Sequence, residues 1–245
     1  MTPASAEDWR ELARRRLPRV LFDYVDGGAY AELTLRRNAE DLAALALRQR
    51  VMRDVSRLKL ETELFGERLA MPVILGPVGL AGMYARRGEV QAARAAKAAG
   101  VPFTLSTVGV CTADEVTAGA GVPPWFQLYM IRDRGYMRDL LQRAREAGCR
   151  TLVFTVDLPT PGTRYRDVRS GMFGRPTAAG RARQAWQGLT RPGWLWDVHL
   201  RGRPYTFGSI APAVPDADGV AAFWVWVKAN FDPGVTWADI EWVRG

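Results

Sequence analysis

The sequence predicts an α/β fold: an incomplete (β/α)8 barrel of about four strands, with an N-terminal helical segment and a long excursion after strand 4. Three observations carry this. Short apolar runs suited to fully buried strands occur at Val73–Pro77, Phe103–Ser106, Trp125–Tyr129 and Leu152–Val156. Helical patterns separate them at Gly88–Ala99, Ala113–Ala118 and Gly135–Ala147. The strand-to-strand spacing of roughly 25 residues fits barrel units. An open doubly wound sheet is the alternative, but no Gly-x-Gly-x-x-Gly follows any of these runs.

The elements are expected in the following order. A first helix spans about Ala6–Arg16, with Ser5 as N-cap and Glu7 and Asp8 in its first turn. Pro18 opens a second helix, which Gly27-Gly28 ends after Tyr24. A third helical stretch covers about Glu32–Leu47, and the segment around Leu60–Met71 reads as a hairpin turning at Phe65-Gly66. After Val156 the rhythm breaks. Residues from about Leu158 to Pro233 are rich in Arg, Trp, Gly and Pro, with helical patches near Thr177–Leu189 and Gly219–Asn230. A last helix starts after Thr236, its expected N-cap. The 245 residues are thus expected to form one partial domain: 1–72 helices and hairpin, 73–157 barrel strands, 158–235 excursion, 236–245 the start of the next barrel helix. A barrel needs eight strands and four are visible, so the expectation is a chain cut short at its C-terminal side.

Composition narrows the function classes. The chain is 48% hydrophobic and 24% charged, ordinary for a globular protein. No apolar run approaches the ~20 residues of a membrane span, and Met1–Arg16 is polar and basic, which places the expected start in the cytoplasm. Net charge is +8, mostly from arginine. The arginines are dispersed among acidic residues and no recognition motif accompanies them, which argues against a nucleic-acid partner. A basic surface still suits peripheral contact with an anionic membrane. Cys111 and Cys149 have no metal-ligand spacing, and Cys149, in Ala-Gly-Cys-Arg before an apolar run, reads as a packing residue.

Barrels place functional groups at the C-terminal ends of their strands. Those ends read Pro77-Val78-Gly79, Ser106-Thr107, Gln127-Leu128-Tyr129 and Thr155-Val156-Asp157. Small hydroxyls, a carboxamide, a phenol and a carboxylate at one rim suit a planar heterocycle and a small polar substrate. Each residue alone is equally explained by turn capping or packing; the set is not.

Leu21-Phe22-Asp23-Tyr24-Val25-Asp26-Gly27-Gly28-Ala29 and Thr34-Leu35-Arg36-Arg37-Asn38 resemble the N-terminal segment of the FMN-dependent 2-hydroxy-acid dehydrogenases and oxidases. The likeness continues through Met71–Leu80, Thr104–Thr107, Trp125–Tyr129, Phe154–Asp157 and Pro161–Asp167. Pro-Val-Gly-Leu and Gly-Met-Tyr-Ala-Arg-Arg-Gly-Glu are worded most like the bacterial respiratory L-lactate dehydrogenase branch.

The resemblance implies FMN as cofactor and oxidation of an L-2-hydroxy acid, L-lactate first among them. It implies Tyr24, Tyr129 and Arg164 at the substrate; Ser106, Gln127, Thr155 and the Pro77, Val78, Gly79 backbone at the flavin; and Asp157 as the carboxylate that orients a catalytic histidine. It further implies a respiratory-chain electron acceptor, peripheral membrane association on the cytoplasmic side, and a homo-oligomer for the full-length protein.

The one histidine, His199, lies in the excursion, outside any His-Gly-Gly-Arg context, and reads as a surface or packing residue. The last lysine is Lys228, not on a barrel strand. The expectation is therefore that this chain alone is inactive and holds FMN weakly. The alternative is a non-catalytic half-barrel that acts only by association with another chain.

Overall fold

A computed structural model describes residues 2–157, 162–172, 177–214 and 220–244, excluding the side chains of 220–222. Helix α1 (Ala6–Arg16) begins with a capping box: Ser5 Oγ accepts from the Asp8 amide while the Asp8 carboxylate accepts from the Ser5 amide. Helix α2 (Arg19–Asp26) follows Pro18 directly, buries Leu21 and Phe22, and ends where the Gly27 amide donates to Asp23 O. Helix α3 (Leu33–Ala43) stops four residues short of the expected Leu47. Leu42, Leu45 and Leu47 are exposed, so no packing surface holds the last apolar turn in helical form. The hairpin is present as β1 (Thr62–Leu64) and β2 (Glu67–Leu69), antiparallel, with Leu64 opposite Glu67. Its two-residue turn has Phe65 and Gly66 both at positive φ (52° and 78°), the arrangement whose twist matches paired strands.

Three parallel strands form the main sheet in the order β3 (Thr104–Ser106), β4 (Trp125–Leu128), β5 (Leu152–Phe154). Every residue of β3 and β4 is buried, the polar Thr104, Ser106 and Gln127 included, as expected of strands covered on both faces. The first expected strand, Val73–Pro77, is reduced to one parallel bridge at Leu75, whose amide donates to Pro102 O and whose carbonyl accepts from the Thr104 amide. Pro72 and Pro77 offer no amide hydrogen and Gly76 packs nothing, so the ladder stops after a single rung. The sheet is open.

Helices α4 (Gly88–Ala99), α5 (Ala113–Ala120) and α6 (Arg134–Glu146) connect the strands. They face the core with Ala93 and Ala96, with Val116, and with Met137 and Leu140 respectively. Thr112 and Asp133 cap α5 and α6 through side-chain acceptors.

The excursion after β5 is packed against the rest of the chain. It contains α7 (Tyr165–Ser170), α8 (Ala178–Leu189, capped by Thr177), α9 (Pro192–Trp194) continuing into a π-helical turn at Leu195–Leu200, a 3-10 segment at Gly208–Ala213 and α10 (Val220–Asn230); α11 (Trp237–Arg244) follows it. Gln187 accepts from the Val20 amide, Arg191 donates to Leu17 O, and Trp194 Nε1 donates to Met83 O at 2.8 Å. Asp197 pairs with Arg16 and Arg86, both at 3.1 Å. Thr236 donates to Asp239 ahead of α11, in line with its expected capping position. Residues 230–232 run antiparallel to 130–132, and Arg134 clamps that return through Asp232 and Asp239.

Candidate active site

At the C-terminal ends of the three strands, Ser106, Gln127 and Thr155 form one hydrogen-bonded row. Ser106 lies directly opposite Gln127 in the ladder, and the Thr155 amide donates to Leu128 O. The buried Gln127 carboxamide joins the row: Oε1 accepts from Ser106 Oγ (3.1 Å) and the Thr107 amide (3.2 Å), and Nε2 donates to Thr155 Oγ1 (2.7 Å). This network also fixes the carboxamide's orientation, because only one of its two ends can accept from an amide.

Pro77, Val78 and Gly79 pass over the first end of the row. Pro77 and Val78 are exposed, while a Cβ on Gly79 would stand 2.8 Å from Val108 Cγ2 and 3.9 Å from Ser106 Oγ. The segment lies against the strand ends because residue 79 has no side chain. Gly79→Ala is expected to force Val108 aside and to destabilise the chain by about 1–3 kcal/mol, read as a lower urea midpoint with unchanged m-value.

Tyr129 and Asp157 follow the row on β4 and β5. Tyr129 stacks on Phe231 with ring centroids 4.8 Å apart. Burial, and secondarily the Asp157 charge, push its phenol above the ordinary tyrosine range. Asp157 is exposed. A cleft of about 260 Å³ opens between Tyr129, Met130, Thr155 and Val156 on one side and Phe231 to Val235 on the other.

The second cluster joins α2 to α7. Arg164, the N-cap residue of α7, lies with its guanidinium carbon 4.8 Å from the Tyr24 ring centroid. Its Nη2 donates to Tyr24 O and Gly27 O, and its Nε stands 3.1 Å from Asp167 Oδ2. Burial raises the Tyr24 phenol to about 12; Arg164 opposes this, while the charges of Asp167 and Tyr129 add to it. That coupling places the Tyr24–Arg164 cluster within electrostatic reach of Tyr129. The neighbouring Arg166 pairs with Asp26 and Glu32, both at 2.7 Å, and fastens α7 to the α2–α3 turn.

All ten residues singled out from the sequence are therefore described, and they fall into contiguous groups. The segment Leu158–Pro161, which carries the start of one motif, lies outside the described residues. Sequence reasoning missed three members of the site: Asp167, Phe231, and Tyr84, whose buried hydroxyl is within electrostatic reach of Tyr24, Arg164 and Asp167. The i, i+3 spacing of Arg164 and Asp167 was a usable signal for the first; Phe231 reaches Tyr129 only through tertiary structure. His199 is exposed, with Trp194 and Tyr205 as ring neighbours, each 5.7 Å away. Among the described residues no cluster of metal-ligating side chains occurs. Burial raises the Cys111 and Cys149 thiols to about 12 and about 11, so both are poor nucleophiles.

Parallel strands with hydrogen-bonding groups gathered at their C-terminal ends are the frame of a barrel enzyme. Residues 13–245 match the family described as FMN-dependent dehydrogenase, and the chain belongs to that family. Over 244 residues it is 60% identical to the L-lactate dehydrogenase of Caulobacter vibrioides (strain NA1000 / CB15N) and 56% identical to that of Actinobacillus pleuropneumoniae serotype 5b (strain L20). In both cases the match covers 100% of this chain and 63% of the relative, so the chain spans less than two thirds of their length. Among solved structures it is similar to (S)-mandelate dehydrogenase, described as a monotopic membrane protein, with TM-score 0.86, 28% identity, and coverage of 100% of this chain and 64% of that one. It is also similar to mandelate oxidase with (S)-4-hydroxymandelic acid, with TM-score 0.75, 33% identity, and coverage of 99% and 61%. The partial barrel, the family and its FMN dependence are those expected from the sequence.

Proposed function

We propose that this chain carries the flavin-ring and substrate-carboxylate contacts of an FMN-dependent L-2-hydroxy-acid dehydrogenase acting on L-lactate. The observation that carries the reading is the continuous Ser106–Gln127–Thr155 row, with Tyr129 at its end and the Arg164–Tyr24 cluster beside it. The row alternates donors and acceptors, and the Pro77–Gly79 backbone offers a surface without a side chain at residue 79. This donor set fits the polar edge and flat face of an isoalloxazine ring. When bound, FMN supplies a two-electron acceptor for oxidation of the hydroxy-bearing carbon.

The chain's own groups do the rest. Arg164 offers its charge and the Nη1 corner of its guanidinium, and Tyr24 and Tyr129 offer protonated phenols, to hold and orient the substrate carboxylate. Asp157, exposed beside Tyr129, is placed to orient an imidazole and to stabilise its protonated form. No histidine of these 245 residues stands there. Titration with FMN is expected to show weak but saturable binding by flavin fluorescence. Gln127→Leu should lower the affinity about tenfold or more, since it leaves Ser106 and Thr155 without their shared partner. Equal affinity for both chains would remove the row from the flavin site.

The same reading includes peripheral membrane contact and a respiratory acceptor. Among the described residues no helix is long and apolar enough to cross a membrane. Trp186 and Leu189 on α8, and Trp196 and Leu200 on the π-helical turn, are exposed among Arg183, Arg201 and Arg203. Exposed tryptophan and leucine beside arginine suit an anionic bilayer interface. The chain is expected to co-sediment with phosphatidylglycerol vesicles, and Trp186→Ser with Trp196→Ser to lose that binding. Retention by the double variant would place the contact elsewhere.

A further inference from the structure

We infer that Asp167 is the positioning residue for Arg164: it fixes the guanidinium over the Tyr24 ring so that one corner stays available for a substrate carboxylate. The inference rests on the proposed reading of Arg164 as a substrate contact. Asp167 is wholly buried, at 0% exposure, and stands at the third residue of α7. A carboxylate there ordinarily turns back to cap the helix start. Here no side-chain cap is made, and Oδ2 turns to Arg164 Nε instead.

The guanidinium is committed on three sides. Nη2 is held by Tyr24 O and Gly27 O, Nε faces Asp167, and one plane covers the Tyr24 ring. Among the described residues Nη1 makes no hydrogen bond, so it is the corner left for an anion.

The pairing is not a contribution to stability alone. A buried ion pair costs desolvation that its own attraction barely offsets, and better-packed apolar residues commonly do as well. Neither Asp167 oxygen accepts an aligned hydrogen bond, Arg164 Nε donates none, and the nearby Tyr84 hydroxyl is likewise buried without a partner. The groups facing Asp167 are Arg164 and Arg166 of α7, Asp23 and Tyr24 of α2, Glu32 before α3, and Tyr84. Burial, with Asp23 and Glu32 adding to it, raises the carboxyl to about 6 against the two arginines. The site therefore carries a proton that comes and goes near neutrality, and the hold on Arg164 tightens as that proton leaves.

The test is NMR of the 245-residue chain labelled with 13C at aspartate and 15N at arginine. The Asp167 13Cγ signal is expected to titrate near pH 6, with the Arg164 Nε–H shift following the same midpoint. In Asp167→Asn the Arg164 shift should lose that pH dependence and its Nε–H should exchange about tenfold faster. Arg164 signals indifferent both to the titration and to the substitution would overturn the inference. Where Asp167→Asn does not fold, Arg164→Gln read on Asp167 serves instead: a raised midpoint supports the pairing and an unchanged one refutes it. Oxalate then separates the two readings. Arg164 signals coupled to Asp167 but unmoved by oxalate would keep the positioning role and remove the substrate role.

Discussion

The 245-residue chain, given saturating FMN and L-lactate, is expected to reduce an artificial acceptor no faster than free FMN does. Oxidation of a 2-hydroxy acid needs a group that takes the hydroxyl proton, with a pKa near the working pH and within hydrogen-bond reach. The groups at the strand ends do not meet this requirement. The Tyr24 phenol is raised to about 12 and Tyr129 is also raised, so both remain protonated donors. Asp157 is an exposed carboxylate. The one histidine stands on the π-helical turn between Trp194 and Tyr205. General base catalysis contributes about 10²–10⁴-fold, a deficit that dye-linked assays read directly. Lactate-dependent turnover above the free-flavin rate, lost in Asp157→Asn, would instead make Asp157 the proton acceptor.

The strand ends were legible for a physical reason. Strands covered on both faces lose the apolar/polar alternation, so β3 and β4 stand out, as does the apolar β5 although its Leu152 is exposed, and the groups at each C-terminal end are those a barrel presents at its functional rim. Val73–Pro77 has the same apolar look, yet two prolines and a glycine leave it one rung of ladder. Helix α3 is shorter than its leucine spacing predicts because the fold gives Leu42, Leu45 and Leu47 nothing to pack on. Helix α7 gives no sequence signal: six residues, three of them charged, show no apolar period. That short helix is what brings Arg164 to Tyr24 and buries Asp167. The stacking of Phe231 on Tyr129 was equally hidden, since some hundred positions separate the two and the return of 230–232 along 130–132 is a tertiary event. Groups at the strand ends are legible from the strand pattern itself; Tyr24 and Arg164 are legible only through the family resemblance, and Asp167 and Phe231 through neither.

Arg164→Met is expected to cost about 3–5 kcal/mol at pH 7.5, the usual penalty for stripping one partner from a buried ion pair. Two losses combine. Tyr24 O and Gly27 O lose the donor that ties α2 to α7, and Asp167 loses its nearest counter-charge while staying wholly buried. The first loss is independent of pH, but the second is not. Asp167 has a folded-state pKa of about 6 against an ordinary 3.8, so the folded chain holds its proton more tightly than the unfolded chain. Its contribution is therefore fully present below about 3.8 and is lost as pH rises through about 6. Arg164 opposes that rise, so removing it moves the folded pKa higher and extends the loss upward in pH. The stability gap between native chain and variant should be smaller at pH 4, where Asp167 is largely protonated in both folded forms, and should widen above pH 6. Urea melts of both chains across that range measure it. A gap that stays constant with pH would mean that Asp167 does not depend on Arg164, and that the guanidinium stabilises this junction only through the two carbonyls it bridges.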